Sequence, residues 1–257
     1  MWTSGDHSQL RRRMTYRRFH LVFTLPVLLA LASMIEWTGS WALYGSTTLI
    51  LLAIVMVFTS PWDNYAVARG IWDFPSDRVW FRIKHLPVEE YAFFVIQSLQ
   101  VIGLCILLIQ QTGIAERTAE SGSPAPWQWM ASGVVVVLWL IVGRKGRGIH
   151  ERSPSLHYAW HLLYWFLPVI VLQWVIAGDI LWLERWPIIL LPTLGIGTYL
   201  SLADYYAVGQ GIWFFDRKQI TGRYIAGILP WEEVAFFYLT SLLVSQSFVM
   251  LLPDAAR

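Results

Sequence analysis

Nine residues recur almost unchanged in this chain, and the recurrence limits what it can fold into. Leu86-Pro87-Val88-Glu89-Glu90-Tyr91-Ala92-Phe93-Phe94 returns as Leu229-Pro230-Trp231-Glu232-Glu233-Val234-Ala235-Phe236-Phe237, with seven of nine positions identical. A second block lies upstream of each copy. Asp63-Asn64-Tyr65-Ala66-Val67-Ala68-Arg69-Gly70-Ile71-Trp72-Asp73-Phe74 matches Asp204-Tyr205-Tyr206-Ala207-Val208-Gly209-Gln210-Gly211-Ile212-Trp213-Phe214-Phe215 at eight of twelve positions. The offsets are 141 residues for this block and 143 for the twin-glutamate block, so the spacing inside each half is nearly conserved. Such self-similarity is the mark of a tandem duplication. Each half carries an acidic block and then a twin-glutamate helix start.

The chain around these blocks is apolar. Hydrophobic residues make up 56% and charged residues 14%, with a mean hydropathy of +0.49, against about 25% charged in a soluble domain. About 20 apolar residues cross a bilayer as a helix. Seven runs qualify, approximately 19–36, 41–60, 88–110, 127–143, 155–178, 186–203 and 231–252. The fold class predicted is an all-α integral membrane protein of seven transmembrane helices. The basic run Arg11-Arg12-Arg13 precedes a full-length span without a small-residue cleavage site, so the first span is expected to stay as an anchor. The single cysteine, Cys105, lies within a span and leaves no intramolecular disulfide or thiolate cluster. A net charge of +2 gives no reason to expect a nucleic-acid partner.

Lys and Arg collect on the cytoplasmic side of short loops. With the N-terminus inside, the cytoplasmic segments hold Arg11, Arg12, Arg13, Arg17 and Arg18; Arg69, Arg78, Arg82 and Lys84; Arg144, Lys145, Arg147 and Arg152; and Arg217, Lys218 and Arg223, sixteen of the 19 basic residues. Only Arg117, Arg185 and Arg257 fall elsewhere. The expected protein is a multi-pass cell-membrane protein with a cytoplasmic N-terminus and an external C-terminus. Residues 1–114 form one three-helix repeat and 151–257 the other. Residues 115–150 supply an external linker and a connecting helix. Four crossings precede the second repeat, so it enters in the same direction as the first, which makes the repeats parallel and puts both motif pairs at the cytoplasmic surface. The stretches 64–86 and 205–228, rich in aromatics and glycine, are expected to be interfacial or re-entrant.

Pro87 and Pro230 suit the first turn of a helix, and glutamates there complement its dipole. That alone would explain a Pro-x-Glu-Glu start. Against it, each acidic pair runs directly into Ala-Phe-Phe and an apolar span, where a carboxylate is costly. Neighbouring helical residues differ by about 100° in direction, so one glutamate of a pair can face the bundle interior. Most tryptophans and tyrosines fit an interfacial belt. The pairs Tyr65/Tyr206 and Trp72/Trp213 stand out because they are duplicated. His157 and His161, one turn apart, lack a carboxylate at metal-ligand spacing and read as interhelical hydrogen-bonding residues. Gly143 to Gly148 and Gly195-Ile196-Gly197 lack the strand-turn-helix setting of a dinucleotide loop, and no cofactor or metal is expected.

Pro61-Trp62-Asp63-Asn64, the Gly-Ile-Trp triplets at 70–72 and 211–213, and the Pro-x-Glu-Glu starts at 87–90 and 230–233 resemble the integral-membrane lycopene cyclase family over about residues 15–252. That family includes heterodimers of short subunits, fused pairs and the N-terminal half of fungal enzymes that also carry phytoene synthase; this chain resembles the fused form. Two departures are visible: the second repeat has no counterpart to Pro61, and Tyr205 stands opposite Asn64.

The resemblance implies carotenoid biosynthesis, with lycopene drawn from the bilayer, cyclisation of its acyclic ends to β-ionone rings, and contact with other enzymes of the pathway. The implied chemistry is acid-initiated and redox-neutral. A protonated carboxyl adds its proton to the terminal double bond, a neighbouring double bond attacks the cation, and loss of a proton leaves the ring. Desolvation keeps a carboxyl protonated, and aromatic faces stabilise a cation. On this reading Glu89 and Glu232 carry the acid function, Glu90 and Glu233 support or relay, and Asp63 and Asp204 hold or accept protons. Tyr65, Trp72, Phe93, Phe94, Tyr206, Trp213, Phe236 and Phe237 form the substrate wall. Two other readings stay open at this point: a proton-coupled transporter built from parallel repeats, and a carotenoid hydratase.

Overall fold

The computed structural model describes residues 14–112, 124–182 and 186–252. Arg11 to Arg13, Arg117, Arg185 and Arg257 of the orientation argument, and residues 115–123 of the expected linker, lie outside the described residues.

Among the described residues, seven helices are long and apolar enough to cross a membrane: α1 (Tyr16–Met34), α2 (Ser40–Ala68), α3 (Val88–Thr112), α4 (Pro126–Gly146), α5 (Pro154–Trp182), α6 (Trp186–Gly209) and α7 (Trp231–Leu251). α3 is the most buried of these spans and α4 the least. α3 touches α1, α2, α6 and α7, while α7 touches α2, α3, α5 and α6; α4 leans on α5 at the periphery. Large apolar side chains on the outside, such as Val57 of α2 and Met130 of α4, suit a lipid-facing surface.

The expected spans mostly hold, but two are too short in a way that matters for the site. α2 continues past Pro61 to Ala68 and α6 continues to Gly209. Asp63 and Asp204 therefore stand on helices, not in the loops that follow them. Pro61 is tolerated inside α2 as one missing N–H in a long span. Pro87 and Pro230 also sit differently: each ends a short strand just before its helix. An extended conformation suits proline, which has no N–H to offer.

Three two-residue antiparallel pairs shape the segments between helices: β2 (Arg82–Ile83) with β3 (Leu86–Pro87), β5 (Tyr224–Ile225) with β6 (Leu229–Pro230), and β1 (Trp72–Asp73) with β4 (Phe214–Phe215). The first two are local hairpins that lead into α3 and α7. The third joins the two loops to each other, with Trp72 opposite Phe215 and Asp73 opposite Phe214. The link is reinforced where Asp216 N–H donates to Ile71 O at 2.9 Å and the Gln219 amide donates to Arg69 O and Gly70 O. The Asp216 carboxyl is itself held below the usual carboxylate range by the Lys218 N–H and the Gln219 amide. These loops are thus half protein interior. Trp72, Phe74 and Trp213 are buried, while Trp80, Phe81, Phe214 and Tyr224 are exposed.

The repeated Gly-Ile-Trp has a backbone cause. Gly70 (φ 67°) and Gly211 (φ 65°) terminate α2 and α6 in the left-handed region that glycine enters without strain. In both copies the glycine N–H returns to the residue three before it and the isoleucine N–H to the residue five before it: Gly70 to Val67 and Ile71 to Ala66, Gly211 to Val208 and Ile212 to Ala207. The turn sends the following tryptophan back towards the helix it has just left. As a result, the Trp213 indole donates to Asp204 Oδ1 at 2.8 Å, and Trp72 likewise faces Asp63.

Candidate active site

At the helix ends joined by these loops lies a cavity with about 500 Å³ of empty space. Asp63, Glu90, Asp204 and Glu233 all line it. The remaining walls are Tyr16, Phe19, Trp62, Trp72, Phe74, Phe93, Tyr158, Leu200, Trp213, Phe215, Phe236 and Phe237. Four carboxyl groups thus share one chamber whose walls, among the described residues, include no Lys, Arg or His.

Each inner glutamate is held by a tyrosine from the helix opposite it in the same half. Tyr16 OH donates to Glu90 Oε2 at 2.8 Å, and Tyr158 OH donates to Glu233 Oε1. The tyrosines are fixed in turn by the loops: Tyr16 N–H donates to Arg78 O at 2.8 Å and Tyr158 N–H to Gln219 O at 3.0 Å. Their rings are covered reciprocally. Tyr16 packs on Phe74 and Trp213, with centroids at 5.8 and 5.0 Å, and Tyr158 packs on Phe215 and Trp72 at 6.2 and 5.0 Å. One oxygen of each aspartate, Asp63 Oδ1 and Asp204 Oδ2, is buried without a hydrogen-bond partner. Burying such a group without a partner costs on the order of 1–3 kcal/mol, more if it is charged.

Within each twin pair, the helical twist sends the first glutamate elsewhere. Glu89 Oε1 accepts the Trp80 N–H at 2.9 Å, and Glu232 Oε1 accepts the Thr221 N–H at 2.8 Å. Both are buried, yet neither belongs to the cavity wall. They tie the hairpin loops to the helix starts, and His20 adds a contact to the Glu89 carbonyl at 3.0 Å.

The expected substrate wall divides in the same way. Trp72, Trp213, Phe93, Phe236 and Phe237 do line the cavity, while Phe94 lines a neighbouring apolar groove. Tyr65 and Tyr206 are 40% and 39% exposed and stand outside it; Tyr65 packs beside His161 and beneath Arg69, and Tyr206 against Phe23. The duplication preserved Tyr65 and Tyr206 without turning them inward. The two histidines do bond between elements, His157 to Gln219 and His161 to Trp62 O.

The residues that sequence reasoning missed are Tyr16, Tyr158, Phe19, Trp62, Phe74, Phe215 and Leu200. A signal for the tyrosines was present. Tyr16 and Leu25-Pro26 recur as Tyr158 and Leu167-Pro168, each 142 residues on, which is a third repeated block too sparse to notice beside the other two. Trp62 has no such signal because Ala203 occupies the matching position. It stacks on Phe236 at 5.2 Å and on His161 at 5.0 Å, nearly parallel to both.

Comparison with known proteins bears on what this chamber does. The chain is 33% identical over 241 residues to a lycopene beta-cyclase of Halobacterium salinarum, covering 92% of this chain and 95% of that protein. It is 29% identical over 229 residues to a bifunctional lycopene cyclase/phytoene synthase of Phycomyces blakesleeanus, covering 88% of this chain and 37% of the fungal protein. A bifunctional enzyme of the same name from Sporisorium reilianum is 30% identical over 244 residues, covering 90% of this chain and 34% of that protein. No family model matches the chain. No solved structure matches it.

Proposed function

Since the chain belongs to the lycopene beta-cyclase family, we propose that its four-carboxyl cavity is the single chamber in which an end group of lycopene is protonated and closed into a β-ring. The protein is a membrane enzyme of carotenoid biosynthesis that cyclises lycopene. The observation carrying the rest is that Asp63, Glu90, Asp204 and Glu233 converge in one aromatic chamber whose walls, among the described residues, hold no cationic side chain. Like-charged carboxylates crowded away from water favour sharing protons over full ionisation. Such a chamber has protons to give.

Glu90 and Glu233 are the proton donors in this reading. A carboxyl O–H bond breaks as a C–H bond forms at the terminal double bond, leaving a tertiary cation. The nearby double bond attacks that cation, the new C–C bond closes the six-membered ring, and the charge moves to the neighbouring ring carbon. Loss of a proton from the adjacent carbon restores a double bond. One proton enters and one leaves, so the product is an isomer of the substrate. The unpartnered oxygens of Asp63 and Asp204 suit the departing proton. Tyr16 and Tyr158 position the donors and connect them to the loops. The faces of Trp62, Trp72, Trp213, Phe93 and Phe236 surround the cation, each worth roughly 0.5–2 kcal/mol, and keep out water that would capture it.

Glu89 and Glu232 become positioning residues here, because one oxygen of each accepts a backbone N–H of the loop and neither side chain lines the cavity. This reverses the order within each twin pair expected from the sequence. The proposal also keeps the parallel repeats (1–114 and 151–257, joined through 115–150) and the cytoplasmic N-terminus. Both acidic sets lie at one end of the bundle, and β1 pairs with β4 at positions about 141 apart, while Gln97 bonds Thr240, 143 residues on. Such contacts are expected around a two-fold axis along the membrane normal. Cysteines at Ser76 and Lys218 in a Cys105-free chain should react with an impermeant thiol reagent only from the cytoplasmic side. Contact with other pathway enzymes is part of the proposal, and co-purification checks it.

The testing experiment is ring closure in heavy water by purified protein in lipid. One solvent deuterium should be retained per ring, with no net change of oxidation state. Rings free of solvent deuterium would remove carboxyl protonation as the first step.

A further inference from the structure

Beside the acid chamber, and sharing Phe236 with it as a wall, lies an apolar groove with about 640 Å³ of empty space between α2, α3, α5 and α7. Its sides include Val55 and Phe58 of α2, Ser98 of α3, Val169 of α5, and Thr240 and Leu243 of α7. These residues lie in the middle of the spans, so the groove runs from beside the chamber into the depth of the membrane. From Phe236 to Ser247, its extremes on α7, the helix rises roughly 16 Å.

The matching positions on the other side are packed differently. Shifted by the repeat offsets, the half-buried Val55 becomes the buried Ile196, while Thr59, Phe166 and Val244, buried themselves, become the buried Leu200, Thr24 and Val101. α6 packs along α7 more extensively than α2 packs along α3. Two similar halves thus differ in their packing beside the chamber.

We propose that this groove holds the polyene chain of the substrate while one end group occupies the chamber, an inference that rests on the cyclase reading of the chamber. A long apolar chain with its reacting end among carboxyl groups needs an apolar path that adjoins them, and this groove adjoins the chamber with Phe236 as the wall the two share. With the chain in this groove and one end group in the chamber, the two ends of one molecule enter in separate binding events.

The test is lycopene binding to the full chain in lipid nanodiscs, read as quenching of tryptophan fluorescence. Val55→Phe and Val169→Phe fill the groove and should each raise the apparent Kd at least about tenfold, a change of 1.4 kcal/mol or more. Val57→Phe, on the neighbouring lipid-facing surface at 77% exposure, should not. If a filled groove reduces folding, a smaller change serves. In a Cys105→Ala chain, Val55→Cys should be alkylated by N-ethylmaleimide more slowly when lycopene is present, and Val57→Cys should not. Unchanged binding by both phenylalanine variants, or no protection at Val55→Cys, would overturn the proposal and leave a lipid acyl chain as the occupant. Glu233→Gln separates the two readings: it should bind lycopene like the parent and fail to cyclise it. If it cyclises normally, the chamber reading fails, while the groove stands or falls on its own binding data.

Discussion

The half of the bundle around α2 and α3 and the half around α6 and α7 hold the same polar chemistry in different packing. Each brings one tyrosine to one inner glutamate, one tryptophan to one aspartate, and one outer glutamate to a loop N–H. The apolar surroundings do not follow suit. Trp62 stands where the other half has Ala203, and α6 packs along α7 more extensively than α2 packs along α3, beside which the groove lies. The acid set kept its symmetry between the two halves, and the hydrophobic positions diverged.

The largest effect should show that the polar sets are equivalent. Glu90→Gln and Glu233→Gln keep size and a hydrogen bond to the tyrosine but remove the transferable proton. Each should lower ring formation at least about 10²-fold with normal protein levels, measured by pigment chromatography of lycopene-accumulating cells. A large loss in only one would break the equivalence. Asp63→Asn and Asp204→Asn should follow with losses of roughly 10- to 100-fold, again similar to each other, in the same assay.

Trp62→Ala addresses the asymmetry. Trp62 also lines a second basin that includes Arg69, Arg147 and His150, so it forms the partition between this polar basin and the chamber. Its removal should cost about tenfold in ring formation. It should also yield carotenoids heavier by one water, detected by mass spectrometry, because the cation is captured before the ring closes. The truncation of a fully buried tryptophan should further reduce stability by about 3 kcal/mol. The smallest effect belongs to the outer glutamates. Glu89→Gln and Glu232→Gln still accept the Trp80 and Thr221 N–H groups, so kcat should change less than about threefold. A loss equal to that at Glu90 would restore the first glutamate of each pair as the acid.

Seven spans, the position of the acid blocks at one end and five of the eleven aromatic wall residues could be read from hydropathy and repetition, because these depend on local composition. Which glutamate of each pair lines the cavity could not. Adjacent positions on a helix differ only in direction, and direction is set by the hairpins that bring Trp80 and Thr221 onto Glu89 and Glu232. The position of Tyr65 and Tyr206 outside the cavity was not legible for the same reason: repetition shows that a position was kept, not which way it faces. The lengths of α2 and α6 were underestimated because Pro61 and the polar residues Asp63 and Asp204 look like the ends of apolar runs, although helix persists through them to the glycine turns. The groove was invisible, since it arises from the packing of α2, α3, α5 and α7 against one another and no residue pattern encodes that.

The central claim is one chamber built by both halves, and residual activity tests it most directly. Glu90→Gln, Glu233→Gln and the double variant should be purified in lipid and assayed side by side with lycopene. For a shared chamber, each single variant should retain no more than about one per cent of parent activity. The double should fall little further, as happens when residues act as a unit. If each half instead built its own site, each single variant would keep about half of the activity and only the double would lose it, and that result would contradict the account.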